Sequence, residues 1–373
     1  MVPAEDAMLI EGHTVKEPVG PWINEILKAA VEGSASDVHF TVGSPPQMRI
    51  HGTWGPTEHP ALSPADCEAV ARDVLGERRM QQFLAEKECD CSFGRPGIGR
   101  FRANAFFQRG SIGLALRVLP YEIPGFEELG LPGETMRRLC GMRDGMVLIC
   151  GPTGSGKSTT LAAMIGHINR THRRHIVTIE DPIEFVHRHD QAIVDQREIG
   201  TDTESFAAAM KHVLRQAPDV LLVGEIRDGE TMRTALMIAE TGHLLLSTIH
   251  TAEVVQGLSR MVDMYPSDQQ PEIRVSLSLV LRGMLVQQLL PAVTAGRRLL
   301  ACELMLTNSA IANLIREGKF EQVYTQMQTR KGEGMRTMND SLAALLRTGK
   351  LARETALAGS PNPRELLTLL ESP

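Results

Sequence analysis

A glycine-rich stretch in the middle of the chain has the residue types and the spacing of a phosphate-binding loop. Its glycines, lysine and serine satisfy the pattern G-x-x-x-x-G-K-[ST], with an apolar run before them and a helical pattern after them. Glycine lets the chain turn so that backbone N–H groups converge on phosphate oxygens at the positive end of the next helix. The lysine would reach the β- and γ-phosphates of a nucleoside triphosphate, and the serine hydroxyl would ligate Mg²⁺. The predicted nucleotide-binding residues are Gly151, Pro152, Thr153, Gly154, Ser155, Gly156, Lys157, Ser158 and Thr159, with Ser158 also the metal ligand.

Carboxylates follow two other apolar strands, where a nucleotide hydrolase needs them. The predicted strand 177–180 runs into a segment that carries Glu184, and the strand 219–223 is followed by Gly224 and Glu225. Ligands of an open α/β sheet sit at the carboxyl ends of its strands. The strand 219–223 resembles a Walker B strand, in which an aspartate commonly holds Mg²⁺ at the position that Gly224 occupies here. Glu225 is therefore predicted to orient or activate the attacking water, and the serine of the loop to carry more of the metal contact.

A histidine also follows a predicted strand. His250 comes directly after the apolar run 244–249, beside the expected position of the γ-phosphate. A single histidine is usually a structural residue, whereas this position suits a group that senses or stabilises the phosphate. Both roles stay open on this pattern alone.

Length, charge and composition limit the class of protein. The 373 residues allow two or three domains, and a net charge of −6 with 4% aromatic residues gives neither a basic field nor stacking platforms for nucleic acid. The six cysteines include no C-x-x-C pair, which favours a reduced chain over a disulfide framework or a zinc site. No apolar run approaches the roughly 18–20 residues that span a bilayer, and no signal peptide is visible. A cytosolic or peripheral protein without a nucleic-acid partner is predicted.

Patterning divides the chain into four parts. Residues 1–19 lack periodicity and are predicted to be a flexible extension, while 20–120 read as a small α+β domain of short strands and helices. Proline and glycine crowd 121–133, which is predicted to be a linker. Strands and helices alternate in 134–373 before a helical C-terminal region, which indicates a mostly parallel sheet with flanking helices. The predicted fold class is α/β.

Local signals also predict two helix boundaries. Pro64 is expected to start a helix that runs through Leu75. Thr201 and Glu204 have the spacing of a capping box, which predicts the start of the helix before Pro218.

Four segments in order resemble the motifs of the type II/IV secretion ATPases. Gly151–Thr159 resembles the Walker A motif of that superfamily, Ile179–Glu184 its Asp box, Val223–Arg227 its Walker B motif and Thr241–Thr251 its His box. The twitching-motility branch (PilT/PilU type) is more similar still. The segments that resemble this branch are Ser36–His39, Gln196–Gly200, Leu214–Asp219 and Gly334–Met338. The resemblance covers about 22–370.

The resemblance implies a fold and a set of site residues. It implies a PAS-like small α+β domain followed by a RecA-like P-loop ATPase domain with a helical C-terminal part. Two glutamates match the family's Asp-box and Walker B glutamates, two histidines match the His box, and two arginines match small-domain arginines that reach ATP. Arginine suits that task because its planar, permanently charged fork engages phosphate oxygens. The implied catalytic residues are Glu225, Glu184, His250, His243, Arg102 and Arg117, and the individual roles of Arg100 and Arg109 stay open.

The resemblance also implies a function and partners. Members of the family are ring motors, so a homo-oligomer, most simply a hexamer, is expected to bind ATP and Mg²⁺ and to power retraction of type IV pili. The expected location is cytoplasmic and peripheral at the inner membrane, with a pilus platform protein and a paralogous retraction ATPase as partners. The absence of the tetracysteine zinc module of extension motors favours the retraction branch.

Several alternatives stay open at this point. Ala312 replaces an arginine of the family motif within Ala310–Glu317, so the chain could be the principal or the accessory (PilU-type) retraction motor. The direction of force and the ring symmetry are also open. A related secretion-system ATPase is the nearest alternative function. The others are a nucleic-acid motor, which the composition disfavours, and a non-hydrolysing ATP-binding regulator, which the intact Glu225 disfavours.

Overall fold

The computed structural model describes residues 21–119, 122–294 and 296–371. The predicted extension at 1–19 lies outside the described residues. The chain divides after residue 121 into two compact units.

The first unit is an antiparallel sheet with two helices packed on one of its faces. Its described strands follow the order β3-β2-β1-β6-β5-β4. The helices α1 and α2 bury one set of alternate strand residues, among them Phe40, Phe101 and Leu114. The opposite face carries the charged residues Asp37, Arg102 and Arg117 and an aromatic group of His39, Trp54 and Phe106. The elements are α1 (Pro21–Glu32), β1 (Ala35–Phe40), β2 (Gln47–Ile50), β3 (Thr53–Pro56), α2 (Pro64–Glu86), β4 (Glu88–Arg95), β5 (Gly99–Gln108) and β6 (Ser111–Leu119).

Helix α2 starts where the sequence predicts and consists of two segments separated by a kink. Ser63 caps it in a capping box with Asp66, and Pro64 occupies the first turn, where its missing N–H costs nothing. Gly76 interrupts the helix with a φ of 67°, and the helix then continues to Glu86. The first helical segment therefore ends at Leu75 as predicted, and a second segment, which the sequence pattern did not predict, follows Gly76.

The second unit is a mostly parallel sheet with helices around it. Its described strands follow the order β13-β12-β7-β11-β10-β8-β9, in which only β13 pairs antiparallel with its neighbour. The elements are α3 (Gly133–Cys140), β7 (Gly145–Cys150), α4 (Lys157–Thr171), β8 (His175–Glu180), β9 (Ile193–Glu198), α5 (Phe206–Val213), β10 (Val220–Val223), α6 (Gly229–Glu240), β11 (Leu244–Ile249), α7 (Val254–Asp263), α8 (Gln270–Val280), β12 (Leu281–Pro291), β13 (Arg298–Leu306), α9 (Ser309–Glu317), α10 (Glu321–Thr329), α11 (Met338–Arg347), α12 (Arg353–Gly359) and α13 (Pro363–Glu371).

The central strands read as continuous apolar runs because they are covered on both faces. Every residue of β7, β10 and β11 is buried. The register pairs Cys150 with Ile249 and Val223 with Ile179, so the carboxyl ends of neighbouring strands meet at one edge of the sheet. The segments that leave this edge are those that carry the predicted site residues.

Two details of the second unit differ from the sequence pattern. Helix α5 is capped by Ser205, whose side chain accepts from the backbone N–H of Ala208 at 3.1 Å. The predicted start at Thr201 is wrong, because that residue lies in a turn that closes on the end of β9. In the proline- and glycine-rich segment, Phe126 and Leu131 are buried in the core of the second unit. That stretch packs with the unit, and the domain limits themselves stay a prediction.

Within the part of the chain that the structure describes, no helix combines the length and the apolar character needed to cross a membrane.

Candidate nucleotide-binding site

The glycine-rich loop joins the end of β7 to the start of α4. Gly151 has a φ of 142°, and a Cβ there would lie 2.5 Å from both the Gln287 carbonyl oxygen and the Ser155 hydroxyl. No other residue fits this turn, because a side chain would collide with backbone. Helix α4 then begins at Lys157 without a side-chain cap on its first amides. Its N-terminal N–H groups are therefore available to an anion.

Lys157 is held against the loop that precedes it. Only 9% of the residue is exposed, and Nζ donates to the carbonyl oxygens of Gly151 and Pro152, both at 2.9 Å. Burial lowers the pKa of Lys157, and the nearby Glu225 and Glu184 oppose that change. The ammonium has three N–H donors, so one remains for a phosphate oxygen.

The loop forms one wall of a polar cavity of about 510 Å³. The other walls come from the segments after β8, β10 and β11, as expected for a site at the carboxyl edge of a parallel sheet. Nine of the residues predicted to bind or act on the nucleotide line the cavity: Thr153, Gly154, Gly156, Lys157, Ser158, Thr159, Glu184, Glu225 and His250.

Glu225 is the most closely held of the acidic side chains. It lies just beyond β10, and 19% of its side chain is exposed. Arg227 donates to Glu225 Oε2 from two nitrogens, at 2.7 and 2.8 Å, and His250 Nε2 lies 3.2 Å from Glu225 Oε1. The hydrogen bond to Glu225 raises the pKa of the Arg227 guanidinium. The structure thus joins the predicted Walker B and His-box residues in one cluster.

Arg227 is a site residue that the sequence reasoning missed. Its guanidinium lines the cavity, while 71% of its side chain is exposed. The only signal for it is its place two residues after Glu225. Phe185, Phe206 and Arg298 also line the cavity without having been predicted.

Two carboxylates lie at the carboxyl end of β8, Glu180 as the last residue of the strand and Glu184 beyond it. Glu180 accepts from the Thr178 hydroxyl at 2.6 Å and from Gln196 Nε2 at 3.1 Å, and burial raises its pKa. Glu184 is exposed in the irregular segment beyond it and lines the cavity. Both carboxylates line the same cavity as Lys157. The site therefore contains acidic side chains as well as the lysine ammonium.

Gly224 occupies the position at which the Walker B resemblance leads us to expect an aspartate. A Cβ at Gly224 would lie 3.5 Å from the Glu180 Cα and 3.6 Å from the Phe206 ring. The Thr248 hydroxyl donates to the Gly224 carbonyl oxygen at 2.8 Å. These are ordinary van der Waals distances, so packing alone does not require glycine at this position.

His243 lies at the other end of β11 from His250. Its Nδ1 is 3.1 Å from the Thr241 hydroxyl and 3.2 Å from the Ile238 carbonyl oxygen. The strand Leu244–Ile249 separates the two histidines, which amounts to roughly 20 Å at about 3.3 Å per residue. The structure brings His250 to the cavity but not His243.

The predicted arginines belong to the first unit. Arg102 on β5 and Arg117 on β6 lie directly opposite each other in the antiparallel register, and both are exposed. Arg117 Nε donates to Asp37 Oδ1 at 3.2 Å. Arg100 is partly buried on β5, and Arg109 lies in the β5–β6 turn with a φ of 48°.

The donor set suits Mg²⁺ bound together with phosphate. No group of three or more histidine, cysteine, aspartate or glutamate side chains forms a metal site among the residues the structure describes. Mg²⁺ prefers phosphate oxygens, water and one or two protein ligands over an all-protein cage. Ser158, at the start of α4 and on the cavity wall, is the residue that fits this contact.

A parallel sheet whose strand β7 runs into this loop, with carboxylates beyond β8 and β10, defines a P-loop nucleotide-binding protein with a RecA-like fold. The family of type II/IV secretion system proteins matches residues 113–348. The chain is 39% identical over 93% of its length to the type IV pilus ATPase PilU of Pseudomonas aeruginosa, and covers 91% of that protein. It is 42% identical over 90% of its length to the type IV pilus retractation ATPase PilT of the same species, and covers 96% of it.

A solved structure gives the same relationship. The crystal structure of the pilus retraction motor PilT with bound ADP is similar with a TM-score of 0.84 and 49% sequence identity, over 93% of this chain and 99% of that one. The chain therefore belongs to the type II/IV secretion system protein family, and within it to the type IV pilus ATPases of the PilT/PilU type. The α/β fold class and the kinship predicted from the four motifs are confirmed.

Proposed function

We propose that this protein is an ATP-hydrolysing ring motor that powers retraction of type IV pili. The observation that carries the proposal is the cavity in which Lys157, Ser158, Glu225 and His250 meet at the carboxyl edge of the sheet. The names of the relatives, a type IV pilus ATPase and a type IV pilus retractation ATPase, and of the solved pilus retraction motor support the process that the hydrolysis drives.

In the proposed reaction the loop binds the phosphates and Glu225 acts on water. The loop amides and the remaining N–H of Lys157 bind phosphate oxygens, and Ser158 would hold Mg²⁺, which would supply further positive charge to the phosphates. Glu225 accepts the proton of the attacking water or orients it. Glu184 is the second carboxylate of the reaction, facing the same cavity.

The contacts of Glu225 suggest how its activity is controlled. Glu225 Oε2 accepts from Arg227 and His250 Nε2 lies 3.2 Å from Glu225 Oε1, so both carboxylate oxygens already have a neighbour where an attacking water would have to bind. The exposed Arg227 side chain can swing away at little cost in buried contacts. We propose that Glu225 becomes the working base when Arg227 releases it, and that His250 then senses the γ-phosphate.

Arg102 and Arg117 are proposed to contact the phosphates from the first unit. Both side chains are exposed at adjacent places on β5 and β6 and present permanent positive charge on one sheet face, Arg117 with its Nε donating to Asp37. Positive charge near a transferring phosphoryl group stabilises its transition state.

The proposed assembly is a homo-hexamer in the cytoplasm, peripheral at the inner membrane. Its proposed partners are the pilus platform protein and a paralogous retraction ATPase. The relatives include one PilU and one PilT protein, so both the accessory and the principal role are compatible with them.

Lys157→Ala tests the enzymatic part of the proposal. Purified protein should hydrolyse ATP, and the variant should lose turnover because its loop lacks the lysine ammonium. Arg72→Ala, an exposed arginine of α2 that pairs with Glu68, is a matched control and should keep the wild-type rate. Hydrolysis at that rate by Lys157→Ala would refute the assignment. Pilus retraction in a deletion strain then tests the process.

A further inference from the structure

The motif Gln196–Gly200 includes one side chain that contacts the acidic wall of the cavity. Gln196 lies on β9, the edge strand beside β8, opposite Thr178 in the parallel register. Its Nε2 donates to the Phe185 carbonyl oxygen at 2.8 Å and to Glu180 Oε1 at 3.1 Å. Its Oε1 accepts from the backbone N–H of His187 at 2.8 Å. Both donors and the acceptor of one amide are thus engaged around Glu184.

The segment that Gln196 contacts has no secondary structure to hold it. Residues 181–187 lie between β8 and β9 without helical or strand bonding, so their backbone groups need other partners. Gln196 satisfies Phe185 and His187, and the buried Glu198 accepts from the Ile183 N–H at 3.1 Å. Two side chains of β9 therefore fasten the backbone on both sides of Glu184.

We propose that Gln196 is a positioning residue for the acidic wall of the site. Its amide fixes the Phe185–His187 backbone so that Glu184 faces the cavity, and it fixes one oxygen of Glu180 at the same time. The inference rests on the proposed function, because the consequence for hydrolysis passes through Glu184. A shift of about 1 Å in a reacting group can cost about 100-fold in rate. One amide with three contacts is suited to prevent such a shift.

Gln196→Met is the main variant. Methionine has a similar length but no hydrogen-bonding amide, so all three contacts are lost while the apolar volume is kept. Asp195→Asn is the matched control on the same strand, since Asp195 is exposed and pairs with His175 instead. Gln196→Glu is a second variant, which keeps an acceptor for His187 and removes both donors. It keeps the inference testable if the methionine variant does not fold.

Two measurements separate the inference from a purely structural role. Hydrogen–deuterium exchange of the full chain should be about 10-fold faster at 181–190 in Gln196→Met and unchanged in Asp195→Asn. ATP turnover should fall about 10-fold or more in Gln196→Met, while the Kd for ATP changes less than about twofold and the melting temperature of the whole protein stays near that of Asp195→Asn.

The two measurements also distinguish the inference from the proposed function. Unchanged exchange in both Gln196 variants overturns the inference, whatever the ATPase rate. Faster exchange with an unchanged turnover also overturns it, because the loop is then fastened without positioning a group that reacts. If the wild-type protein does not hydrolyse ATP, the proposed function fails, and the exchange data alone still decide whether Gln196 fastens the loop.

Discussion

The two units present their charged side chains in different ways, and the direction of the strands is the reason. In the antiparallel sheet of the first unit, Arg102, Arg117 and Asp37 form one cross-strand row on an open face. In the parallel sheet of the second unit, the charged residues follow the ends of the strands and meet at one edge. Parallel strands all end at the same edge, whereas antiparallel strands alternate.

The difference determines what each unit can do by itself. The edge of the parallel sheet encloses a cavity with a lysine, carboxylates and a histidine, which is enough to bind a phosphate and act on water. The open face of the antiparallel sheet presents arginines whose charge costs little to expose. This face can therefore supply positive charge to a phosphate bound elsewhere, but it does not form a complete binding site by itself. Each of the following changes tests one side of this contrast.

The largest effect is expected from Arg102→Ala and Arg117→Ala in the first unit. Well-placed arginines at a transferring phosphoryl group contribute about 10³–10⁵ in rate, so turnover should fall by about 10³ or more while ATP binding changes less. Both side chains are exposed, so the free energy of unfolding should change by under about 0.5 kcal/mol. ATP turnover and thermal unfolding are measured together, with Arg72→Ala as the control. Full activity in both variants would mean that the arginines only solvate the sheet.

The next effect concerns the two carboxylates of the second unit. Glu225→Gln keeps the shape of the side chain and its contact to Arg227 while removing the base, so ATP should still bind and turnover should fall by about 10²–10⁴. Glu184→Gln should also reduce turnover, by a smaller factor, because Glu184 is the second carboxylate of the proposed reaction and Glu225 is its base. Normal turnover in Glu225→Gln together with an inactive Glu184→Gln would reverse the two roles.

The sequence predicted the parts of the site that are contiguous. The loop Gly151–Thr159 and His250 follow an apolar strand directly, and Glu225 comes two residues after the end of β10. The end of a strand places the residues that follow it at the edge of the sheet. The α/β class follows from the same alternation. These are local relationships, so a single sequence contains them.

The remaining relationships depend on three-dimensional contacts. His243 shares a motif with His250, but a six-residue strand puts it at the other end of the sheet. The hydrogen bonds of Arg227 to Glu225 and of Gln196 to the 181–187 segment depend on the direction in which each side chain points. The spacing of residues in the sequence does not determine that direction. The N-cap of α5 is Ser205 and not the predicted Thr201, because the backbone after β9 forms a turn in which the Asp202 N–H donates to the Glu198 carbonyl oxygen at 2.8 Å.

The smallest effect on activity is expected from Glu303, a carboxylate of the second sheet that lies outside the cavity. Glu303 on β13 is 2% exposed, and it accepts from the Val254 N–H at 2.8 Å. Burial raises its pKa to about 7, while the backbone N–H groups of Val254 and Met338 oppose that change and the neighbouring Glu253 and Glu365 add to it. Because Glu303 is buried outside the cavity, we expect a change of this residue to alter the stability of the protein and not its ATP turnover.

The sign follows from a pKa that is higher in the folded state than the ordinary value of 4.5. The folded protein favours the protonated carboxyl, so this contribution to stability is complete below about pH 4.5 and is lost as the pH rises through about 7. The change amounts to about 3 kcal/mol. Glu303→Gln resembles the protonated form and should lose less stability between pH 5 and 8 than the wild type, with little change in ATP turnover. Denaturant unfolding at several pH values measures this, with the exposed Glu321→Gln as control, and equal pH slopes in wild type and Glu303→Gln would show that the carboxyl is already ionised in the folded protein.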